Sequence, residues 1–475
     1  MTTGEDHRMI DLTSALDADV VVAGAGSAGV AAAVAAAESG ARTVLVEASG
    51  HVGGTLAWQL LEHSAGFHDV RGNQVVGGVG QRIVDRLRQY GGTPGHIADD
   101  VGYTATRTPV NHAELAMAEA TLLADAGVQV LLNCPVVAAV TDGRRVRGLD
   151  IETPDGRRHV TAPVFVDASG DAVLATLAGA TVHDDVPHRQ PASLLLKLGG
   201  VDFAALLAYA ADHPDDLRPG NAVGSPDDEC VNLWGFGRLL DAGHRQGLLE
   251  LRRTELHLAG WPRRGEAVLN VTRVPWPGAG LDGGAAYLRL SKQVLEVVRW
   301  FRQLVPGGRE AYLSAVADRL GVRESRRVVG LATLTRDDVV SGRRHPDSVA
   351  TGAFPIDIHD ASTPGLEHAD TIASSYDIPF GCLVPRDLDN ALVAGRCVSS
   401  THEGNGSVRI TGTCFATGEA AGVAAALVAD GATTVAALDV PRLQDLLRRR
   451  GVLGARDGVT LQAAAPPRRP AASSA

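Results

Sequence analysis

Residues 19–47 read DVVVAGAGSAGVAAAVAAAESGARTVLVE. Val20, Val21 and Val22 form a β-branched apolar run, the pattern of a strand buried on both faces. Gly24, Gly26 and Gly29 follow in a G-x-G-x-x-G spacing, and an alanine-rich helix runs from there to Ser39 and stops at Gly40. Thr43 to Val46 is a second apolar strand, and Glu47 closes it. Gly24 permits the tight strand-to-helix turn. Gly26 lets a pyrophosphate approach bare backbone, and Gly29 lets the helix pack closely on the sheet. The helix N-terminus turns unpaired N–H groups toward the phosphates. Glu47, eighteen residues past the last glycine, is spaced to accept from ribose hydroxyls. A G-x-G-x-x-G alone says little; between two strands and followed by an acid it specifies a dinucleotide-binding βαβ unit. The acid suits an unphosphorylated ribose, so NAD or FAD is expected rather than NADP.

The totals bound what surrounds this unit. A chain of 475 residues is long enough for two or three domains. Hydrophobic content of 45% and charged content of 21% are ordinary for a globular protein. Net charge is −11, with no basic stripe, which argues against nucleic acid and anionic membrane as partners. The five cysteines are scattered, with no C-x-x-C and no zinc spacing, so neither a metal site nor a disulfide framework is expected. The acidic N-terminus lacks a signal-peptide pattern and no membrane span is visible, so a cytoplasmic location is expected.

Along the chain, residues 1–17 and 458–475 read as disordered tails. Residues 78–90 show helical spacing at Ile83, Val84 and Leu87. Asn111 caps a helix to Ala126 with Glu114 at its third position. Val128–Leu132 and Val136–Val140 read as strands. Asp142-Gly143 and Asp155-Gly156 are hairpin turns, so a β-meander interrupts the α/β chain. Residues 163–171, PVFVDASGD, form a second strand–turn–helix corner. Every tryptophan but Trp58 falls between residues 185 and 330. Within that region 194–201 reads as a strand, 206–229 as a surface excursion and 287–304 as a long amphipathic helix. Asn390–Gly395 is the last buried strand, 396–413 a polar glycine-rich loop, and 414–430 an alanine-rich helix.

With these segments in view, the chain resembles the FAD-dependent oxidoreductases of the two-dinucleotide FAD-binding fold, related to glutathione reductase and the fumarate reductase flavoproteins. The likeness rests on residues 19–47, on HVGGT at 51–55, on VFVDASGDAVLATLAGA at 164–180, on RESRRVVGLATLTRDD at 323–338 and on the long segment 378–421. It implies an α/β fold: a Rossmann-like FAD-binding domain, parallel sheet plus β-meander, with an inserted α+β substrate domain. The expected division is 18–185 and 381–455 for the FAD domain and 186–380 for the substrate domain. It implies FAD, with Gly24, Gly26, Ser27, Ala28 and Gly29 at the pyrophosphate and Glu47 and Ala48 at the adenosine ribose. Gly53, Gly54 and Thr55 would lie along the pyrophosphate and ribityl chain, and Val136 at the adenine. Ala168, Ser169 and Gly170 would pass the adenosine half, and Gly395 and Arg396 the ribityl chain. Ser407, Thr411, Gly412 and Thr413 would border the flavin. Two departures stand out. The last strand ends Gly395-Arg396 where the wider superfamily has Gly-Asp. His51 precedes Gly53-Gly54, similar to the histidine bonded covalently to flavin in fumarate reductase relatives, at a spacing that matches poorly.

No second unit of strand, glycine turn, helix and distal acid is read between 185 and 380, so a pyridine-nucleotide domain is not expected. Electrons then pass between the cofactor, a small-molecule substrate and a donor or acceptor that the sequence leaves open, as it does the oligomeric state. The densest polar group near the expected flavin is Thr401, His402, Glu403, Ser407 and Arg409. His402 is the expected general acid/base, since imidazole titrates near about 6.5. Arg409 is expected to stabilise anionic flavin or a substrate carboxylate. Arg323, Arg326 and Arg327 form a second cluster, and Asp357, His359 and Tyr376 rank below His402. The expected reaction is oxidation or dehydrogenation of a small organic molecule. Reduction of an activated C=C bond, monooxygenation and a non-enzymatic accessory role are the alternatives.

Overall fold

The computed structural model describes residues 16–454 except 103, 185–188, 277, 279–280, 360–367, 371 and 432. The expected tails lie outside the described residues apart from Leu16 and Asp17. Those two pair in parallel with Val160 and Thr161, so the leader is shorter than read.

Val20–Ala23 (β1) and Thr43–Val46 (β2) run parallel in the register Val20 to Thr43, joined by Ser27–Glu38 (α1). Both strands are buried along their whole length, which only an uninterrupted apolar run can satisfy. Gly78–Gln89 (α2) turns Ile83, Val84 and Leu87 inward. His112–Asp125 (α3) is capped by the Asn111 side chain, which accepts from the N–H groups of Ala113 and Glu114. Gln129–Leu131 (β3) extends the sheet beyond β2. Val136–Asp142 (β4), Arg145–Thr153 (β5) and Gly156–Thr161 (β6) form the antiparallel meander, and Val164–Asp167 (β7) returns to lie beside β1.

The chain then builds a second layer. Leu196–Gly199 (β8), Val231–Gly235 (β9), Leu256–Trp261 (β10), Glu266–Asn270 (β11) and Tyr312–Val316 (β12) form an antiparallel sheet in the order β9–β10–β11–β8–β12. Leu281–Leu304 (α4) buries Leu290, Val297, Trp300 and Phe301 in a second core with that sheet. Part of the expected surface excursion belongs to this core. Residues Phe203–Asp212 form a helix capped by Asp202, and Leu206, Leu207 and Ala210 face inward at helical spacing.

Ala391–Val393 (β13) completes the main sheet, whose order is β13–β7–β1–β2–β3, all parallel. The two cores share out residues 186–380, a range expected only approximately and open to exchange of segments with the FAD domain. The second core ends at Ala317, whereas Val328, Val339, Val349, Ile356, Ile358 and Ile378 join the first core. Residues 396–413 are not a plain loop either: His402–Val408 (α5) begins at a Thr401 cap. Its glycines suggest a loop by propensity, but they serve close packing. A Cβ on Gly404 would stand 2.4 Å from the Leu334 carbonyl oxygen.

Thr411–Gly431 (α6) lies directly on α1. A Cβ on Gly418 would stand 2.1 Å from the Ala28 carbonyl oxygen, and one on Gly422 the same distance from that of Ala32. Among the described helices, α6 alone is long and apolar enough to cross a membrane, yet 89% of its apolar window is buried inside the protein. Its apolar length is used in packing against α1 and the main sheet.

Candidate active site

The ends of β1, β7 and β13 meet at one edge of the parallel sheet, and a cavity of about 380 Å³ opens there. It continues to the face of the second sheet. Its first half is bare backbone. Gly24, Gly26, Ser27 and Ala28 line it at the turn into α1, with Glu47, Gly54, Thr55, Ala168, Ser169, Gly170, Gly395, Arg396 and Thr411 around them. Gly24 sits at φ +99°, and a Cβ there would stand 2.6 Å from the Ala168 carbonyl oxygen. Gly53 donates its N–H to the Ala25 carbonyl at 2.8 Å, and a Cβ on Gly54 would meet Gly26 Cα at 2.7 Å.

These residues fit a dinucleotide. Ser27 Oγ is buried with no hydrogen-bond partner and lines the cavity at the first turn of α1. There the helix N-terminus and a free hydroxyl favour a phosphate. Glu47 accepts from the Ala25 N–H and from the Ser49 N–H and hydroxyl, each at 2.7 Å. Three bonds leave part of the capacity of a carboxylate for a sugar hydroxyl. Beside Gly395-Arg396 an acid does stand: Arg396 Nη2 donates to Asp171 at 2.9 Å, and both residues line the cavity.

Other expected cofactor residues stand behind this wall. Gly29 packs α1 onto the turn, where a Cβ would lie 1.7 Å from the Gly24 carbonyl oxygen. Gly53, Ala48 and Val136 are not among the described residues that line the cavity. Ser407 is buried against the Tyr376 hydroxyl at 2.6 Å, Gly412 against the Ala65 backbone, and Thr413 Oγ1 is buried without a partner. His51 does line the cavity. Its ring stacks on Trp58 with centroids 3.9 Å apart, and its Nε2 lies 3.0 Å from Asp318.

The second half of the cavity is polar and aromatic. Arg218 lies 4.1 Å over the Trp234 ring, Trp234 stacks on His257 at 4.2 Å, and His257 meets His63 edge-on at 4.8 Å. Asn232 pairs with His257 Nε2. The described residues make no hydrogen bond to the His63 ring nitrogens. Burial and the nearby Arg107 guanidinium push the His63 imidazole down to about 4, so it is neutral at ordinary pH. Sequence reasoning missed His63, Arg107, Arg218, Trp234 and His257. The available signals were the tryptophan-rich region and the alternation that sets Asn232 and Trp234 on one face of β9.

Arg409, by contrast, lines the cavity. Its Nη2 donates to the Asp357 carbonyl and carboxylate, both at 3.0 Å. Asp357 Oδ2 accepts from His359 Nε2 at 3.2 Å, and His359 Nδ1 accepts from Arg273 at 2.8 Å. Burial alone would raise the Asp357 carboxyl; His359, Arg409 and Arg323 outweigh it and hold the group well below the usual carboxylate range. Tyr376 is fully buried, and Arg327 is bridged to Glu324 and donates to the Ser400 carbonyl.

His402 is not among the described residues that line the cavity. Its Nδ1 lies 2.8 Å from Glu324, whose hydrogen bond raises the imidazole pKa. The structure thus sets His402 against Glu324 rather than on the described cavity wall. Because 402–408 is helical, His402 is set against the buried Glu324–Arg327 pair, while Arg409, past the helix end, reaches the cavity.

Residues 19–447 match a family described as FAD dependent oxidoreductase. No curated protein sequence matches the chain. Among solved structures it is similar to a geranylgeranyl bacteriochlorophyll reductase-like protein of Thermoplasma acidophilum. Identity is 14%, over 92% of this chain and 84% of that one, with a TM-score of 0.45. It is also similar to the myxobacterial chondrochloren halogenase CndH, at 12% identity over 92% and 79% with a TM-score of 0.47. A third likeness is to the anhydrotetracycline hydroxylase OxyS of Streptomyces rimosus, at 13% identity over 92% and 67% with a TM-score of 0.42. At such identities these are likenesses of fold, and no reaction is taken from them. The family match spans most of the chain, and the residues it covers build a wall suited to a dinucleotide; this protein belongs to the FAD-dependent oxidoreductase family, with FAD as its cofactor.

Proposed function

We propose that this oxidoreductase oxidises a small organic molecule at a C–H bond, with His63 accepting the proton of the adjoining O–H or N–H. The observation that carries the reading is the His63 ring, which no described residue hydrogen-bonds, on the wall of the same cavity that begins at the α1 turn. FAD, when held by the Gly24–Ala28 turn, Glu47, Gly54 and Thr55, supplies the two-electron acceptor for such a bond. The chain must supply what the cofactor does not. A substrate that loses a hydride also loses a proton, and a positioned base contributes about 10²–10⁴-fold. Arg409 and Asp357 form a fixed charged pair on the wall of the same chamber. The reverse reading, reduction of a C=C bond, uses the same residues with His63 returning a proton.

The test is anaerobic mixing of the FAD-loaded protein with small hydroxy acids, amino acids and amines, following loss of the yellow absorbance. A donor is expected to bleach the wild type, and His63→Gln, with FAD still bound, is expected to slow bleaching by about 100-fold. Bleaching at the wild-type rate in that variant defeats the role of His63. A pre-reduced protein that is reoxidised by alkenes, and that no donor bleaches, establishes the reductive direction instead.

A further inference from the structure

We infer that the substrate is a carboxylic acid, and that its carboxylate docks in a recess between Arg253 and Arg323. The inference rests on the reading that the second half of the cavity receives the substrate. The recess opens off that chamber, and Ser193, Trp234, His257, Asn270, Arg323 and His359 form walls common to both. It measures about 10 Å³, room for one group the size of a water molecule.

One wall is a buried guanidinium with idle donors, near the Glu255 carboxylate. Arg253 is only 8% exposed, yet its Nε and Nη1 make no hydrogen bond. A buried guanidinium with idle donors is costly, and such a group in a folded protein calls for a partner. Opposite it, Arg323 uses Nη1 alone, donating to the Pro191 carbonyl at 2.8 Å and Ser193 Oγ at 2.9 Å. Glu255 is the one carboxylate among the described residues on the recess wall, and it gives both oxygens to Arg218, at 2.8 and 2.6 Å. Around Arg323, the guanidinium groups of Arg273, Arg409 and Arg253 outnumber the single carboxylate of Asp357. Burial and those neighbours push the Arg323 guanidinium down to about 9, a cost that a bound anion relieves.

The recess admits one oxygen of such an anion, with the rest of the carboxylate at its mouth beside Arg323. Guanidinium donors suit a carboxylate. The remainder of the acid then lies in the main chamber along the Trp234–His257–His63 face, beside the proposed proton acceptor.

The experiment is calorimetric titration of the FAD-loaded protein with acetate, succinate and benzoate, each against its neutral amide, with chloride as the competing halide. At least one acid is expected to bind saturably and about tenfold or more tighter than its amide. Arg253→Gln and Arg323→Gln, checked for retained FAD, are each expected to weaken that binding by about tenfold or more, the worth of one charge-assisted pair. Arg323→Lys is expected to restore part of it. Acids that bind no tighter than their amides overturn the proposal, as does wild-type affinity in Arg323→Gln. Displacement of the acids by chloride at equal concentration also overturns it. If Arg253→Gln does not fold, Arg323→Gln decides. Binding is read here without turnover, so its failure leaves the oxidation reading standing, and failure of the His63 test leaves the anion site standing.

Discussion

His63 owes its neutrality to two effects that act together: its ring is desolvated, and the Arg107 guanidinium repels a second positive charge. Protonation below about 4 removes the acceptor. The acid limb of kcat/KM is therefore expected near pH 4, with activity falling as pH falls through it, instead of near the ordinary imidazole value of about 6.5. A pH–rate profile of wild type and of His402→Gln checks this. His402 is tied to Glu324 outside the cavity, so its replacement is expected to leave the limb in place and to keep turnover within about threefold, against the much larger loss typical of a removed acid/base. Loss of most turnover in His402→Gln would reinstate that residue. The sequence made His402 attractive because it clusters with polar neighbours in a segment close to the expected flavin. Nothing local distinguishes a histidine that faces a cavity from one consumed by a buried glutamate seventy-eight residues away.

The contact between α1 and α6 is the element on which the cofactor wall depends. The helices meet backbone to backbone at Gly418 and Gly422, and their first turns present Ser27 and Thr411 to the cavity. Gly418→Ala inserts a methyl group 2.1 Å from a carbonyl oxygen, so the helices must separate. A loss of about 1–3 kcal/mol is expected, together with weaker FAD retention, measured by urea unfolding and by the yellow colour left after gel filtration. Gly284, exposed in α4 with nothing within 4 Å of a built Cβ, is the contrast. Gly284→Ala is expected to stabilise by about 0.5–1 kcal/mol through helix propensity alone. The same glycine chemistry explains why α1 was readable from the sequence and α5 was not. In α1 the glycines have a recognised spacing ahead of an alanine run. In α5, Gly404 and Gly406 look like flexible residues until the Leu334 and Asp357 backbone is seen packed against them.

At the scale of the molecule, buried histidines set the response to acid. Burial holds His63 and His68 down to about 4, and His96 and His359 down to about 3, with His257 lowered as well. Between these values and about 6.5 the unfolded chain binds protons that the folded chain does not, so stability falls as pH falls. Each group contributes up to about 1.4 kcal/mol per pH unit across its own window. Glu119 acts in the opposite sense. Burial alone pushes its carboxyl up to about 8, so it favours the fold as pH drops from 8 to the ordinary glutamate range. Burial also raises the Asp100, Asp167 and Glu419 carboxyls, which act in the same sense as Glu119. The five histidines titrate across the window itself, so the urea midpoint is expected to drop from pH 6.5 to pH 4.5; a flat midpoint would mean that the histidines are protonated within the fold. By itself the sequence determined the parallel sheet, the meander and the glycine turn from Gly24 to Gly29 with Glu47 beside it, because that turn is bare backbone and a helix end whose spacing is local. Only the tertiary structure decided the polar and aromatic half of the cavity. His63, Arg107, Trp234, His257 and Arg323 come from distant segments, and they meet because two sheets with separate cores close on one chamber.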